Sequence, residues 1–397
     1  MNAFLPADIL LPKTDHMEKW AVIACDQFTS DQGYWDRVRK NAEGAVSTIN
    51  LILPEAELGT EKEAAHTAEI NATMKKYVDE GVFTVYPNSY IYVERTLENG
   101  SIREGLVGMV DLDAYDYNPG ATSAIRATER TVPERIPPRQ RVRRDAPIEL
   151  PHVLMLCDDH DKKLIEPIAA KKDSLKKIYD FDLMEDGGHI TGWLVEGKDV
   201  EDFNKALTEY SATVGEKYTG LKGTPMVFAV GDGNHSLAAA KRFWEEKRET
   251  LPENERETDP ARFALVEIEN IHEPSLDFEP IHRVIFDTDT SAFAAEFTAH
   301  RTEWEAEDKT LGERVAAAES FCRAYIAAHG GYIDYIHGDD TARSLGEKPN
   351  CAAVLLPPVE KSGLFLSVLK NGALPKKSFS MGNARDKRYY LECRKIR

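Results

Sequence analysis

Residues 225–244 read PMVFAVGDGNHSLAAAKRFW, and this stretch decides how the centre of the chain folds. Residues 225–230 form an apolar run of strand length that ends at Gly231. Glycine permits backbone angles that other residues avoid, and the segment that follows Ser236 is strongly helical. The sequence therefore predicts a strand, a tight turn and a helix in direct succession.

Polar side chains occupy the predicted turn between the strand and the helix. The start of a helix carries unpaired backbone N–H groups and the positive end of the helix dipole, an arrangement that binds phosphate. Asp232 is a candidate metal ligand or base, Asn234 supplies an amide, and His235 is a candidate phosphate donor. The alternative is an ordinary turn in which Asn234 or Ser236 caps the helix.

Charge is unevenly distributed along the chain. Its 397 residues carry a formal net charge of -18, which argues against nucleic acid as an obligatory partner. Two segments are nevertheless basic, since residues 123–144 hold seven arginines against two glutamates and residues 370–397 hold nine basic residues against two acidic ones. The two segments either line an anion-binding site or lie separately in solvent.

Composition and cysteine content indicate a folded cytoplasmic protein. The chain is 42% hydrophobic and 30% charged, as is usual for globular proteins. Its five cysteines are odd in number and form no Cys-x-x-Cys pair, which argues against a zinc ribbon or a disulfide framework and favours reduced thiols. No apolar run is long enough to span a membrane. The expected partner is a small molecule or nucleotide. The sequence does not decide between a monomer and a homo-oligomer.

Strands and helices follow one another without regular alternation, which predicts an α+β fold with a mixed sheet. The first predicted helix begins near residue 31. The other predicted helices cover residues 61–80, 163–179, 200–216, 236–244, 291–303 and 313–329. The predicted strands cover residues 20–25, 82–86, 90–96, 102–110, 152–157, 225–230, 262–269, 281–286, 332–336, 352–356, 365–369 and 389–393. An Asn-Gly hairpin turn is expected at residues 98–101.

Domain organisation is predicted only in outline. Residues 1–120 form an N-terminal α/β region with a β-meander, residues 121–290 a core, and residues 291–397 a C-terminal α/β region. No clean linker separates them, so one integrated domain is the alternative. Residues 131–148 contain four prolines, which predicts an exposed connector or ligand-ordered loop and no regular helix.

Two further clusters carry residues suited to anion chemistry. In the first, Arg126 and Arg130 are candidate phosphate clamps, and Glu129 is a candidate general base for a hydroxyl group. The alternative for this cluster is a helix start with an exposed salt bridge. In the second, His282 and Arg283 lie beside a strand start, where they either contact an anionic ligand or serve the structure.

The chain resembles, over nearly its whole length, a family of bacterial and archaeal proteins of unknown function grouped with the ParB/sulfiredoxin-like superfamily. The resemblance lies in short motifs spread along the chain. The matching pieces are residues 6–8, 20–26, 126–131, 232–235, 280–283 and 374–378. It implies a ParB/sulfiredoxin-like α+β core with additional α/β elaborations, and a nucleotide at the glycine-containing turn and the following helix.

Free-serine kinases of that superfamily carry a box similar to Asp-Gly-His-His-Arg, which here reads DGNHS at residues 232–236. The arginine of the box is absent, so the phosphate contact would fall to Arg126, Arg130 or His282. No cysteine lies near the box in the sequence, which argues against the sulfiredoxin reaction.

The leading hypothesis is a nucleotide-binding phosphotransferase that uses Mg²⁺ and ATP, ADP or CTP and acts on a small hydroxyl substrate such as a free amino acid. The catalytic candidates are Glu129, Asp232 and His235, with Asp232 also the candidate metal ligand. The nucleotide- and phosphate-binding candidates are Arg126, Arg130, Gly231, Gly233, Asn234, Ser236, His282 and Arg283. The alternatives are a non-catalytic nucleotide- or ligand-binding regulatory protein of the same fold, and a purely structural turn.

Overall fold

The computed structural model describes residues 2–397 apart from residues 26, 27, 29, 30, 55, 56 and 222. The strands, numbered in chain order, are β1 (Phe4–Leu5), β2 (Ala7–Pro12), β3 (Phe83–Thr96), β4 (Ile102–Asp111), β5 (Tyr115–Asp116), β6 (Ile125–Ala127), β7 (Ile148–Glu149), β8 (Leu154–Cys157), β9 (Lys176–Asp182), β10 (His189–Val195), β11 (Phe228–Asp232), β12 (Phe263–Asn270), β13 (Phe278–Phe286), β14 (Tyr332–His337), β15 (Cys351–Val354), β16 (Phe379–Met381) and β17 (Cys393–Lys395). The helices are α1 (Met17–Trp20), α2 (Gln32–Asn41), α3 (Glu63–Asp79), α4 (Ile136–Asp145), α5 (Glu166–Ala169), α6 (Lys198–Lys217), α7 (Asn234–Thr250), α8 (Glu253–Arg256), α9 (Thr290–His300), α10 (Thr302–Glu305), α11 (Leu311–His329), α12 (Asp339–Gly346) and α13 (Leu364–Asn371).

Thirteen of the described strands form one mixed sheet. Its main path runs β5-β6-β11-β8-β12-β4-β3-β2-β17-β7, with β1 paired to β4 and β10 joining β9 to β3. The pairs β5–β6, β6–β11 and β8–β12 are parallel, whereas β8–β11 and β3–β4 are antiparallel. Strands β13 to β16 form a separate antiparallel sheet. The predicted α+β class with a mixed sheet is confirmed.

The large sheet separates two hydrophobic clusters because neighbouring side chains of a strand point to opposite faces. On β12, Leu265 packs in the cluster that contains Trp20, and Val266 packs in the cluster that contains Trp244. Strands from all three predicted regions pair in this sheet, among them β3, β8 and β17. The region boundaries at residues 120 and 290 stay a prediction.

The proline-rich segment contains a helix, so the expectation that residues 131–148 form no regular helix is wrong. Helix α4 carries Pro137 and Pro138 in its first turn. Proline is tolerated there because the first N–H groups of a helix have no intrahelical partner. Helix α4 packs against α3 and α7, and Arg139 of α4 lines a cavity together with the first residues of α7.

Two other predicted elements also differ from the structure. Residues 163–179, expected as one helix, form the short α5 and then enter β9, which pairs with β10. Residues 365–369, expected as a strand, lie in α13, where Leu364, Phe365 and Val368 are buried at helical spacing. Short apolar runs are compatible with either a buried helix or a buried strand, and tertiary packing decides between them.

Smaller differences concern strand ends and breaks. The strand expected at residues 20–25 is reduced to a single bridge between Val22 and Tyr390, and the strand expected at 389–393 begins only at Cys393. Strand β3 continues through Pro87, where its pairing with β2 shifts register. The register shift accommodates Pro87, which has no N–H group to donate, without ending the strand.

Cysteines and hydrophobic helices add two observations. All five cysteines lie among the described residues, and none of them forms a disulfide there. In the part of the chain that the structure describes, none of the helices combines the length and the apolar composition needed to cross a membrane.

Candidate functional site

The candidate site lies at one edge of the large sheet, where several strand ends meet. Because β6 and β11 are parallel, the segments that follow them, residues 128–130 and 233–236, leave the sheet at the same edge. The Thr128 hydroxyl donates a 2.6 Å hydrogen bond to the Val230 carbonyl and joins the two strand ends. Strand β8 runs antiparallel to β11, so the segment just before β8, which contains His152, also reaches this edge.

Two glycines shape the turn between β11 and α7. Gly233 has a φ of 80° and a ψ of 22°, the left-handed conformation that favours glycine. A Cβ atom on Gly233 would lie 3.0 Å from Cα of Val153, and one on Gly231 would lie 2.5 Å from Sδ of Met381. The turn therefore depends on glycine both for its backbone angles and for the space it leaves.

The first turn of α7 presents backbone N–H donors. The first helical hydrogen bond runs from the Leu237 N–H to the Gly233 carbonyl at 3.0 Å, so the N–H groups of Asn234, His235 and Ser236 precede the helical ladder. Within the described residues no side chain caps this end, and its first turn holds no acidic residue. The cap by Asn234 or Ser236, expected as the alternative, is not found. The dipole of α7 makes this end electropositive.

A cavity of about 340 Å³ lies over the start of α7. Its lining includes basic side chains from both basic segments of the sequence. These are Arg130, Arg135, Arg139, Lys376, Lys377 and Lys387. Among the described lining residues the carboxylates are Glu129 and Asp232. The two basic segments therefore meet at one cavity, here called the basic cavity, in a chain whose net charge is -18.

Asp232 and His235 both have partners at the basic cavity. Oδ2 of Asp232 lies 3.6 Å from Nζ of Lys387, and the Asp232 side chain is 29% exposed. Nε2 of His235 accepts a 3.1 Å hydrogen bond from the Val132 N–H. Because Nε2 must offer its lone pair in that bond, the ring is neutral and its proton lies on Nδ1.

The amide of Asn234 holds a buried acceptor. Its Oδ1 atom has no hydrogen-bond partner within the described part of the chain. An unpaired buried acceptor is costly, which makes this atom a place where the hydroxyl or ammonium group of a ligand would be favoured.

Glu129 is held by the loop that carries two of the lysines. The Ser378 N–H donates a 2.9 Å hydrogen bond to Oε1 of Glu129. Burial raises the pKa of Glu129, while the N–H groups of residues 377–379 and the charge of Lys377 oppose the rise, and the net pKa is raised. A carboxyl group with a raised pKa beside a cavity is suited to proton transfer.

The backbone at Lys377 is strained. Its φ is 59°, in the left-handed region. For a residue other than glycine this conformation costs about 1–2 kcal/mol. Strain of this kind persists where the surrounding structure enforces it, and it is common at functional sites.

Arg126 lies outside the lining of the basic cavity. It is 3% exposed, and its guanidinium donates to the carbonyls of Ser123 at 2.9 Å and Thr224 at 2.7 Å. These bonds tie β6 to the segment before β11. The structure thus separates Arg126 from Glu129 and Arg130, with which it was grouped by sequence.

His282 and Arg283 also lie away from the cavity, in β13 of the second sheet. Both are fully buried. Nε2 of His282 lies 2.8 Å from the carboxylate of Asp339, and Nε of Arg283 donates to Glu319 at 3.3 Å. Their neighbour Ile281 is the residue of this motif that lines the cavity.

His152, which the sequence did not single out, also lies at this edge of the sheet. Nδ1 of His152 lies 2.6 Å from the hydroxyl oxygen of Tyr390, and Nε2 lies 3.4 Å from Oγ of Ser236. The three residues come from distant parts of the chain, so no local motif signals them.

Cys25 lines the basic cavity, although it is distant from residues 232–236 in the sequence. The sequence signal was the match of residues 20–26 to the family pattern. Asp26, the last residue of that piece, lies outside the described residues.

Comparisons with known proteins give one family and two structures. A family model described as "Protein of unknown function (DUF1015)" matches residues 5–395. None of the curated proteins matches the chain. A mutant free serine kinase in complex with AMP is 10% identical with a TM-score of 0.37, and the match covers 72% of this chain and 91% of that one. A conserved hypothetical protein from Pyrococcus furiosus is 10% identical with a TM-score of 0.31, covering 71% and 90%. Membership of the ParB/sulfiredoxin-like superfamily stays a prediction.

Proposed function

The chain belongs to the DUF1015 family of proteins of unknown function, and from the basic cavity we propose that it binds a nucleotide and transfers a phosphoryl group to a small hydroxyl substrate. One observation carries the proposal: the N-terminus of α7 and six arginine and lysine side chains line the same cavity of an acidic protein. Helix N-termini and clusters of basic side chains both favour phosphate.

The phosphate groups would lie against the N–H groups of Asn234, His235 and Ser236. Lys376 and Lys377 would neutralise their charge from the opposite loop. Phosphoryl transfer depends mainly on such positioning and charge neutralisation. Because Ser236 stands where the kinase box has an arginine, these lysines and Arg130 would supply the positive charge.

Asp232 fits the role of a magnesium ligand. Mg²⁺ bound with a nucleotide uses one or two protein carboxylates together with phosphate oxygens, and Asp232 supplies a carboxylate at the cavity wall beside the start of α7. The ion would supply charge neutralisation at the phosphate oxygens. Among the described residues, no group of three or more His, Cys, Asp or Glu side chains forms a separate metal site.

Glu129 is the proposed base for the acceptor. Its carboxylate would take the proton of the substrate hydroxyl as the hydroxyl oxygen bonds to the terminal phosphorus and the bond from phosphorus to the nucleotide oxygen breaks. The raised pKa of Glu129 brings its proton affinity closer to neutral pH. The buried Oδ1 of Asn234 would accept a hydrogen bond from the hydroxyl or ammonium group of a substrate such as a free amino acid.

Calorimetric titration with ATP, ADP and CTP, each with and without Mg²⁺, tests the proposal. We expect at least one nucleotide to bind more tightly with Mg²⁺, and Asp232→Asn to remove the Mg²⁺ dependence. Asp79→Asn, on the exposed face of α3, is the matched control. The absence of nucleotide binding contradicts the proposal. Binding without phosphorylation of any hydroxyl amino acid favours the regulatory alternative.

A further inference from the structure

A second cavity adjoins the basic cavity. Its volume is about 150 Å³. Arg139, His152 and Ser236 belong to the lining of both cavities. One ligand can therefore contact the start of α7 with an anionic group and extend past His152 into the second cavity.

The second cavity is mainly apolar. Its walls come from α3, α4, α7, β7 and β12, and include Met74, Val142, Ile148, Leu237, Ala240 and Leu265. The charged residues in its lining that lie away from the shared edge, Arg143 and Glu149, form an ion pair with each other, and Glu149 also pairs with Arg394 at 2.9 Å. Because these charges are satisfied within the protein, the cavity favours a group without charge.

The volume of the second cavity limits the part of a ligand that can enter it to about one ring. An apolar protein cavity of about 150 Å³ is large enough to bind benzene. At the shared edge, the contact between the Tyr390 hydroxyl and Nδ1 of His152 fixes the imidazole between the two cavities. A ligand that fills both cavities would pass this ring.

We propose that the second cavity binds the single apolar or aromatic ring of a phosphate monoester whose phosphate lies at Asn234, His235 and Ser236. This inference rests on the proposed function and names its acceptor class, a hydroxyl compound that carries one compact ring. The phosphorylated product of such an acceptor is the monoester that would fill both cavities.

Titration of the full chain with inorganic phosphate, methyl phosphate and phenyl phosphate tests the inference. We expect phenyl phosphate to bind about tenfold more tightly than methyl phosphate, because a buried ring adds apolar contact area at the same phosphate site. Ala240→Met, from α7, and Val142→Phe, from α4, fill the cavity and should bring the two dissociation constants to within about twofold of each other. Ala316→Met, at an exposed position of α11, should leave the preference intact.

Thermal unfolding of the two cavity-filling variants shows whether each is folded. One folded variant, from α4 or from α7, is sufficient for the test. Equal affinity of the wild-type protein for methyl and phenyl phosphate overturns the inference alone, whatever the variants do. A phenyl preference that survives in a folded filling variant also overturns it. Failure of all three phosphates to bind also overturns this inference, whereas the proposed function is decided separately by the titration with ATP, ADP and CTP.

Discussion

The backbone N–H of Val132 donates a 3.1 Å hydrogen bond to Nε2 of His235. This contact joins the segment before α4 to the first turn of α7. It keeps the imidazole neutral, because a protonated ring has no lone pair to offer. The same segment continues into α4, which carries Arg139, so the contact helps to hold one basic wall of the cavity in place.

Replacement of His235 tests this contact. His235→Leu leaves the Val132 N–H without its acceptor, and we expect the free energy of unfolding to fall by about 1–3 kcal/mol. Urea unfolding measures the change. His16→Leu, an exposed histidine outside the cavity, is the control and should change stability by no more than about 0.5 kcal/mol. Equal losses in the two variants would show that the Val132 contact has no energetic role.

The strained backbone at Lys377 gives a prediction that separates stability from binding. Lys377→Gly relieves the left-handed conformation but removes a charge from the basic cavity. We expect stability to stay unchanged or to rise by up to about 1 kcal/mol, because the relief offsets the flexibility of glycine in the unfolded chain. Nucleotide affinity should fall by about tenfold, the effect of losing one charge-assisted hydrogen bond.

Lys162 supplies the matched control for Lys377. It is exposed, has a φ of 54° and does not line the basic cavity. Lys162→Gly should therefore show the same effect on stability with unchanged nucleotide affinity. If both variants bind nucleotide as the wild type does, Lys377 takes no part in phosphate binding.

Arg126 and Arg130 should respond differently to removal, although they are close in sequence. Arg126→Ala removes two hydrogen bonds to backbone carbonyls, and we expect it to lower the free energy of unfolding by about 2 kcal/mol or more without changing the affinity of the folded protein. Arg130→Ala should weaken nucleotide binding several-fold, about 1 kcal/mol, with little effect on stability. Paired unfolding and titration measurements check this, and weaker binding in Arg126→Ala alone would reverse the assignment.

Glu129 predicts a pH dependence with a defined sign. Because burial raises its pKa in the folded state, the folded protein binds this proton more tightly than the unfolded chain does. Its contribution to stability is greatest below pH 4.5, the ordinary pKa of the group, and is lost as the pH rises through the folded-state value. Glu129→Gln removes that titration.

The measurement is urea unfolding of wild type and Glu129→Gln at about pH 4.5 and about pH 7.5. The wild type should lose more stability than the variant between these values. A difference in the opposite direction, or none, would mean that folding does not raise the pKa of Glu129. The same variant should lose phosphoryl transfer while it retains nucleotide binding.

Local sequence was sufficient to predict the elements that form the turn. The apolar run, the glycines and the following helical segment became β11 and α7, and the hairpin turn at Asn99-Gly100 joins β3 and β4 as expected. These features depend on neighbouring residues, so they are visible in a short window of sequence.

The wall opposite α7 could not be predicted in the same way. The sequence shows that residues 370–397 are basic, but their position depends on a parallel bridge between Glu129 and Leu374. The Arg130 N–H donates to the Leu374 carbonyl at 2.9 Å, which places Lys376 and Lys377 beside the end of β6. Such pairing between distant segments is a property of the tertiary fold and has no local signature.

The most direct test of the account is a crystal structure of the protein grown with ADP and Mg²⁺. We expect phosphate density at the start of α7, with phosphate oxygens within hydrogen-bond distance of the Asn234, His235 and Ser236 N–H groups and a lysine from residues 376–377 beside them. A nucleotide bound elsewhere on the chain, with this position filled only by water, would contradict it.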